Sequence, residues 1–93
     1  MVHIQDLINA AIDIKRSPVD LELYVGSTPA IDYKLVKEDD VQVLEIIEGD
    51  YDTEPTITLQ ELMDYLELEN VTNIVAIRYY NHFSVEGTAI VLN

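Results

Sequence analysis

Ninety-three residues make one domain of ordinary small size, and an apolar content of 48% is enough for a real core, which excludes a disordered chain. Eighteen carboxylates against five bases (Lys15, Arg16, Lys34, Lys37 and Arg78) give a net charge of −13, beyond the magnitude of about 2–8 that solubility asks of a small domain. Such a field repels nucleic acid and anionic membranes, and it draws in basic proteins. Cysteine is absent, which excludes disulfides, thiolate metal sites and thiol nucleophiles.

In chain order, Ile4, Leu7, Ile8, Ala11 and Ile12 fall on one stripe of a helix, with Asp6, Asn9, Asp13 and Arg16 opposite. Asp6 in the first turn and Lys15–Arg16 in the last suit the macrodipole, and Pro18 ends the helix. "VDLELYV" (19–25) alternates as a half-buried strand, with Val19, Leu21, Leu23 and Val25 inward. A loop from Gly26 to Pro29 leads to a second strand over roughly 30–37. "KEDD" (37–40) is a tight polar turn into a third strand, "VQVLEII" (41–47), so these two form a hairpin. The third strand is apolar on both faces and is expected to lie centrally.

"EGDYDTEP" (48–55) follows, with carboxylates at Glu48, Asp50, Asp52 and Glu54. "TLQE" (58–61) then reads as a capping box, with Thr58 as N-cap, Glu61 at N3, and Ile57 and Leu62 placed as a hydrophobic staple. The helix runs to about Leu68 with Leu59, Leu62, Met63 and Leu66 inward, and Asn70 stops it. "VTNIVAIRYY" (71–80) and "FSVEGTAIVLN" (83–93) read as two strands joined at Asn81–His82. The expected fold is a single α+β domain over 1–93, order α-β-β-β-α-β-β, with a mostly antiparallel sheet of about five strands.

No motif points to catalysis. His3 and His82 are distant in sequence, the serines Ser17, Ser27 and Ser84 lack a Gly-rich setting, and no Gly loop cradles phosphate, so no enzyme activity and no cofactor are expected. The acidic stretch fails as a calcium loop. Counted from Asp50, position 6 is Pro55 where the pattern needs Gly, and position 12 is Glu61, which the capping box already uses. Five scattered bases argue against direct nucleic-acid binding, and one of Tyr79 and Tyr80 is expected to pack in the core. No basic n-region and no apolar run near ~20 residues is present, so no membrane association and a cytoplasmic location are expected.

The remaining function class is mimicry of a polyanion. Asp20 and Glu22 share a strand face about 6.6 Å apart, a spacing that Asp50, Asp52 and Glu54 would repeat if extended. Glu61, Asp64 and Glu67 are each three apart on the exposed side of the second helix. These spacings are of the order of successive phosphates, and any solvated acidic face shows them too. The scarcity of bases favours mimicry over solubility alone.

By its size, its acidity and its helix leading through a proline turn into an acidic strand, "IQDLINAAIDIKRSPVDLELYV" (4–25) resembles small proteins of phages and mobile elements. At that level the chain is similar to anti-CRISPR and other DNA-mimic inhibitors. The resemblance covers about the first half of the chain, through pattern and composition. It implies an inhibitor acting in the host cytoplasm on the basic, nucleic-acid-binding surface of a defence protein. Partner contacts are expected from Glu48, Asp50, Asp52, Glu54, Glu61, Asp64 and Glu67 as one patch, with Asp39 and Asp40 secondary. The other reading is a self-assembling homo-oligomeric module whose acidity serves solubility, joined through the apolar last strand "TAIVLN" as an unprotected edge.

Overall fold

The computed structural model describes residues 1–49 and 55–93. Two helices, α1 (Ile4–Asp13) and α2 (Leu59–Leu68), accompany one sheet of six strands. The strands are β1 (Glu22–Val25), β2 (Thr28–Glu38), β3 (Val41–Glu48), β4 (Ala76–Ile77), β5 (Phe83–Glu86) and β6 (Ala89–Leu92). They lie in the order β4-β3-β2-β1-β6-β5, so the class is α+β. The sheet is mixed. The neighbours β1/β2, β2/β3 and β5/β6 are antiparallel, whereas β1/β6 and β3/β4 are parallel.

Several sequence expectations are corrected. Helix α1 stops at Asp13, ahead of Pro18, and Lys15 takes a left-handed φ of 57°. Arg16 N–H reaches Ala11 C=O at 3.0 Å and Lys15 N–H reaches Ile12 C=O at 3.1 Å, which is a Schellman ending. Lys15 and Arg16 therefore lie beyond the last turn, and Ile12 is exposed rather than inward. The alternating run 19–25 is not one strand. Pro18–Asp20 form a 3₁₀ turn, with proline supplying the φ its first position needs, and Val19 is exposed. Asp20 is thus not on a strand beside Glu22.

The run 71–80 contributes only Ala76–Ile77 to the sheet, and the run 83–93 is two strands. Gly87, with φ of 62°, begins a two-residue turn that folds β5 back on β6. The hairpin of β2 and β3 is present, and β3 lies inside the sheet between β2 and β4. The last strand is not an edge. It is paired on both sides, with β1 and β5, and β5 is the outermost strand.

Register explains the core. Tyr33 faces Ile46 and Leu35 faces Leu44 across β2/β3, and Leu23 faces Ile90 across β1/β6. These residues, with Ile77 and Leu92, form the inward face, which packs with Ile4, Leu7 and Ala11 of α1 and Leu59, Leu62 and Leu66 of α2 in one cluster. The alternate positions, including Lys34, Val36, Val43, Glu45 and Val91, form an outward face that is half-buried or exposed. A bulge between Ala30 and Asp32 sets Ile31 over Gly49, where any side chain would collide with it. The β4 edge is covered by the N-terminal residues. Val2 N–H donates to Tyr80 C=O at 3.2 Å, Ile77 N–H donates to Val2 C=O at 2.8 Å, and His3 bridges Ala76.

Candidate protein-binding surface

The acidic connection is anchored on opposite sides of β2, beside β3 at its start and beside β1 at its finish. Gly49 N–H donates to Pro29 C=O at 3.1 Å, and Ile57 N–H donates to Ala30 C=O at 2.9 Å. Asp50, Asp52 and Glu54 fall between these anchors and lie outside the described residues. Beyond the second anchor the chain crosses to β1. Leu23 N–H donates to Ile57 C=O and Leu59 N–H to Leu21 C=O, each at 2.9 Å, so α2 starts where β1 and β2 diverge.

Thr58 caps α2, its Oγ1 accepting from Glu61 N–H at 3.2 Å. The reciprocal half of the expected box is absent among the described residues, so the Glu61 carboxylate is not held by the cap. The reciprocal bond instead occurs at α1, where His3 N–H donates to Asp6 Oδ2 at 2.9 Å. At the far end Asn70, at φ 56°, closes α2 with Val71 N–H on Leu66 C=O, which is the expected stop.

With its apolar stripe inward, α2 turns Glu61, Asp64 and Glu67 to solvent. Among the described residues none of the three pairs with a base, and Asp64 accepts from Gln60 Nε2 at 2.8 Å. Tyr65, on the flank of this face, meets Tyr33 of β2 edge-on at 4.9 Å, and its hydroxyl accepts from Leu35 N–H at 3.4 Å. The Tyr33 phenol is pushed above its usual range by burial, then by the charges of Glu61 and Asp32, with smaller effects from Tyr65 and Asp64. Asp32 thus joins the α2 acids around Tyr33. Residue spacing does not signal this, because the bulge shifts which residues of β2 share a face.

Glu48, at the end of β3, acts elsewhere. Together with Glu45 it raises the Tyr80 phenol, which is already raised by burial. Tyr80 packs against the core while Tyr79 is exposed, its ring 4.7 Å from the Arg78 guanidinium. Asp64 and Glu67 also border a cleft of about 290 Å³ whose other walls include Met63 and Val71. Apolar walls under two carboxylates suit a side chain with an aliphatic stem and a cationic head.

Three of the five bases are spent away from α2, while Arg16 lines a cleft with Asp20, Glu22 and Thr58, the α2 N-cap. Arg78 Nη1 lies 3.3 Å from Glu45 and its Nε 3.4 Å from Glu38, while Lys34 lies 3.7 Å from Glu45, all on the outward face of the sheet. Lys37 sits 3.9 Å from Asp40 in the β2/β3 turn. Asp39 and Asp40 form that turn, with φ of 50° and 66°. Among the described residues no group of three or more histidines or carboxylates is placed to hold a metal ion, and no helix is long and apolar enough to cross a membrane. No protein-family model matches the chain, and neither a curated protein nor a solved structure matches it.

Proposed function

We propose that this is a non-enzymatic binding protein whose acidic α2 face engages a basic surface on another protein, one that otherwise holds nucleic acid. The observation that carries this reading is the segregation of charge. Three of the five bases lie within 4 Å of carboxylates on β2, β3 and their turn, while Glu61, Asp64 and Glu67 stand exposed without a base among the described residues. The field steers a basic partner to α2, and close carboxylate–arginine contacts then hold it. The cleft beside Asp64 and Glu67 takes one arginine or lysine with its stem on Met63 and Val71. In its most specific form, which the phage-type resemblance implies, the protein is an inhibitor standing in for nucleic acid on a host defence protein.

The test is retention of nucleic-acid-binding proteins from lysate on the immobilised chain, at low and high salt and with duplex DNA as competitor. Retention should be released by salt and by DNA, and should be lost in the triple variant Glu61→Gln, Asp64→Asn, Glu67→Gln. Retention indifferent to ionic strength, or unchanged in the triple variant, rejects this reading.

A further inference from the structure

The two edges of the sheet are not alike. Residues Val2 and His3 cover β4, whereas nothing among the described residues bonds to the outer side of β5. The two-residue turn at Gly87–Thr88 makes Glu86/Ala89 and Ser84/Val91 the hydrogen-bonded pairs, and His82 continues the series with Asn93 at 2.9 Å. The N–H and C=O groups of Phe83 and Val85 therefore point outward, and no described residue receives them. Their side chains are half-buried against the core. A strand with free backbone groups and apolar side chains at an edge is a pairing site.

We propose that β5 pairs antiparallel with β5 of a second copy about a two-fold axis, joining the two sheets into one. This inference goes beyond the α2 reading and does not rest on it. The choice of a second copy comes from the strand's own complementarity. The register that sets Phe83 against Val85 of the other copy satisfies the outward backbone groups of both. The same register places Ser84 opposite Ser84 and Glu86 opposite His82, twice by symmetry. A carboxylate thus meets an imidazole, which donates a hydrogen bond in either protonation state. Opposed pairs of this kind favour a register, while like charges directly opposite disfavour it. On the inward side Phe83 and Val85 extend the core across the junction. A four-residue strand makes a small interface, so the dimer forms reversibly with concentration.

Sedimentation velocity over concentrations up to about 1 mM reads the equilibrium. The wild-type chain should shift from monomer to dimer as concentration rises. Val85→Pro removes an outward N–H from each copy without touching the β5/β6 ladder, and should weaken dimerisation by about tenfold or more. Because proline also alters packing, a charge exchange provides a second measurement. Glu86→Lys and His82→Glu alone should each weaken the dimer by about threefold to tenfold, and the double variant should restore it. A chain that stays monomeric throughout overturns the proposal. So does a dimer that is unchanged in folded Val85→Pro, or a double variant no stronger than the singles. Persistence of the dimer in every variant would assign it to another face, such as the acid-free groove lined by Met1, Val41, Val71 and Ile74.

Discussion

Asp39 and Asp40 sit where a two-residue hairpin turn needs positive φ at both positions, a conformation that glycine and asparagine adopt more readily than aspartate. Asp40 has a competing interaction with Lys37 at 3.9 Å, but both side chains are largely in water, where such a pair contributes little. Backbone strain should win. Asp40→Gly is expected to stabilise the fold by about 0.5–1 kcal/mol, a rise of a few degrees in Tm by thermal circular dichroism. A lower Tm would mean that the ion pair outweighs the turn. The turn itself was legible, because "KEDD" is a polar break between two apolar runs. The Asp32–Tyr33–Tyr65 contact was not, because pleat alternation predicts faces only while the register is continuous, and the bulge at Ala30/Asp32 interrupts it.

Among the elements, α2 is the one whose sequence and structure agree best. Local signals, a capping threonine and a 3.6-residue stripe, are enough to define a helix. Its Thr58 bond to Glu61 N–H separates stability from binding. Thr58→Ala should cost about 1 kcal/mol in chemical denaturation. Glu61→Gln should cost only the few tenths of a kcal/mol due to charge near a helix N-terminus, because its carboxylate makes no capping bond. Equal losses in the two variants would show that the carboxylate caps after all. The strands were harder. Residues 71–80 are rich in strand-forming types, yet Tyr79 takes a φ of 77° and the N-terminal residues occupy the outer side of β4, so pairing stops after two residues. The parallel contacts β1/β6 and β3/β4 join segments far apart in sequence, which local pattern does not report. Gly87 was the one local sign of the β5/β6 turn.

For the molecule as a whole, −13 is a self-energy as well as a means of attraction. Compact folding brings the uncompensated acids of α2 and its surroundings together, so added salt should stabilise the monomer. Tm should rise between about 0.05 and 0.5 M sodium chloride as the screening length shortens. A fall would place the balance instead with the attractive set formed by Lys34, Glu38, Glu45 and Arg78. The two proposed contacts separate under the same variable. Salt screens repulsion between two acidic copies and so favours pairing through β5, whereas it weakens capture of a basic partner by α2. Composition alone announced the sign of the field. The pairing of Lys34 and Arg78 with Glu45 and Glu38, which leaves Glu61, Asp64 and Glu67 without a base among the described residues, is tertiary, and no sequence spacing encodes it.

The anchors at Gly49 and Ile57 carry a practical consequence. They bind the carbonyls of consecutive residues, Pro29 and Ala30, whose Cα atoms are about 3.8 Å apart. Successive carbonyls of a strand point to opposite sides, so Gly49 lies on the β3 side of β2 and Ile57 on the β1 side, and the ends of the intervening chain stand about two strand spacings, roughly 10 Å, apart at one rim of the sheet. Doubling the length of such a closed segment adds only about 0.6 kcal/mol of closure entropy. Foreign peptides could be spliced between residues 49 and 55 with little effect on folding, which makes this rim a natural place to display a sequence chosen by an engineer.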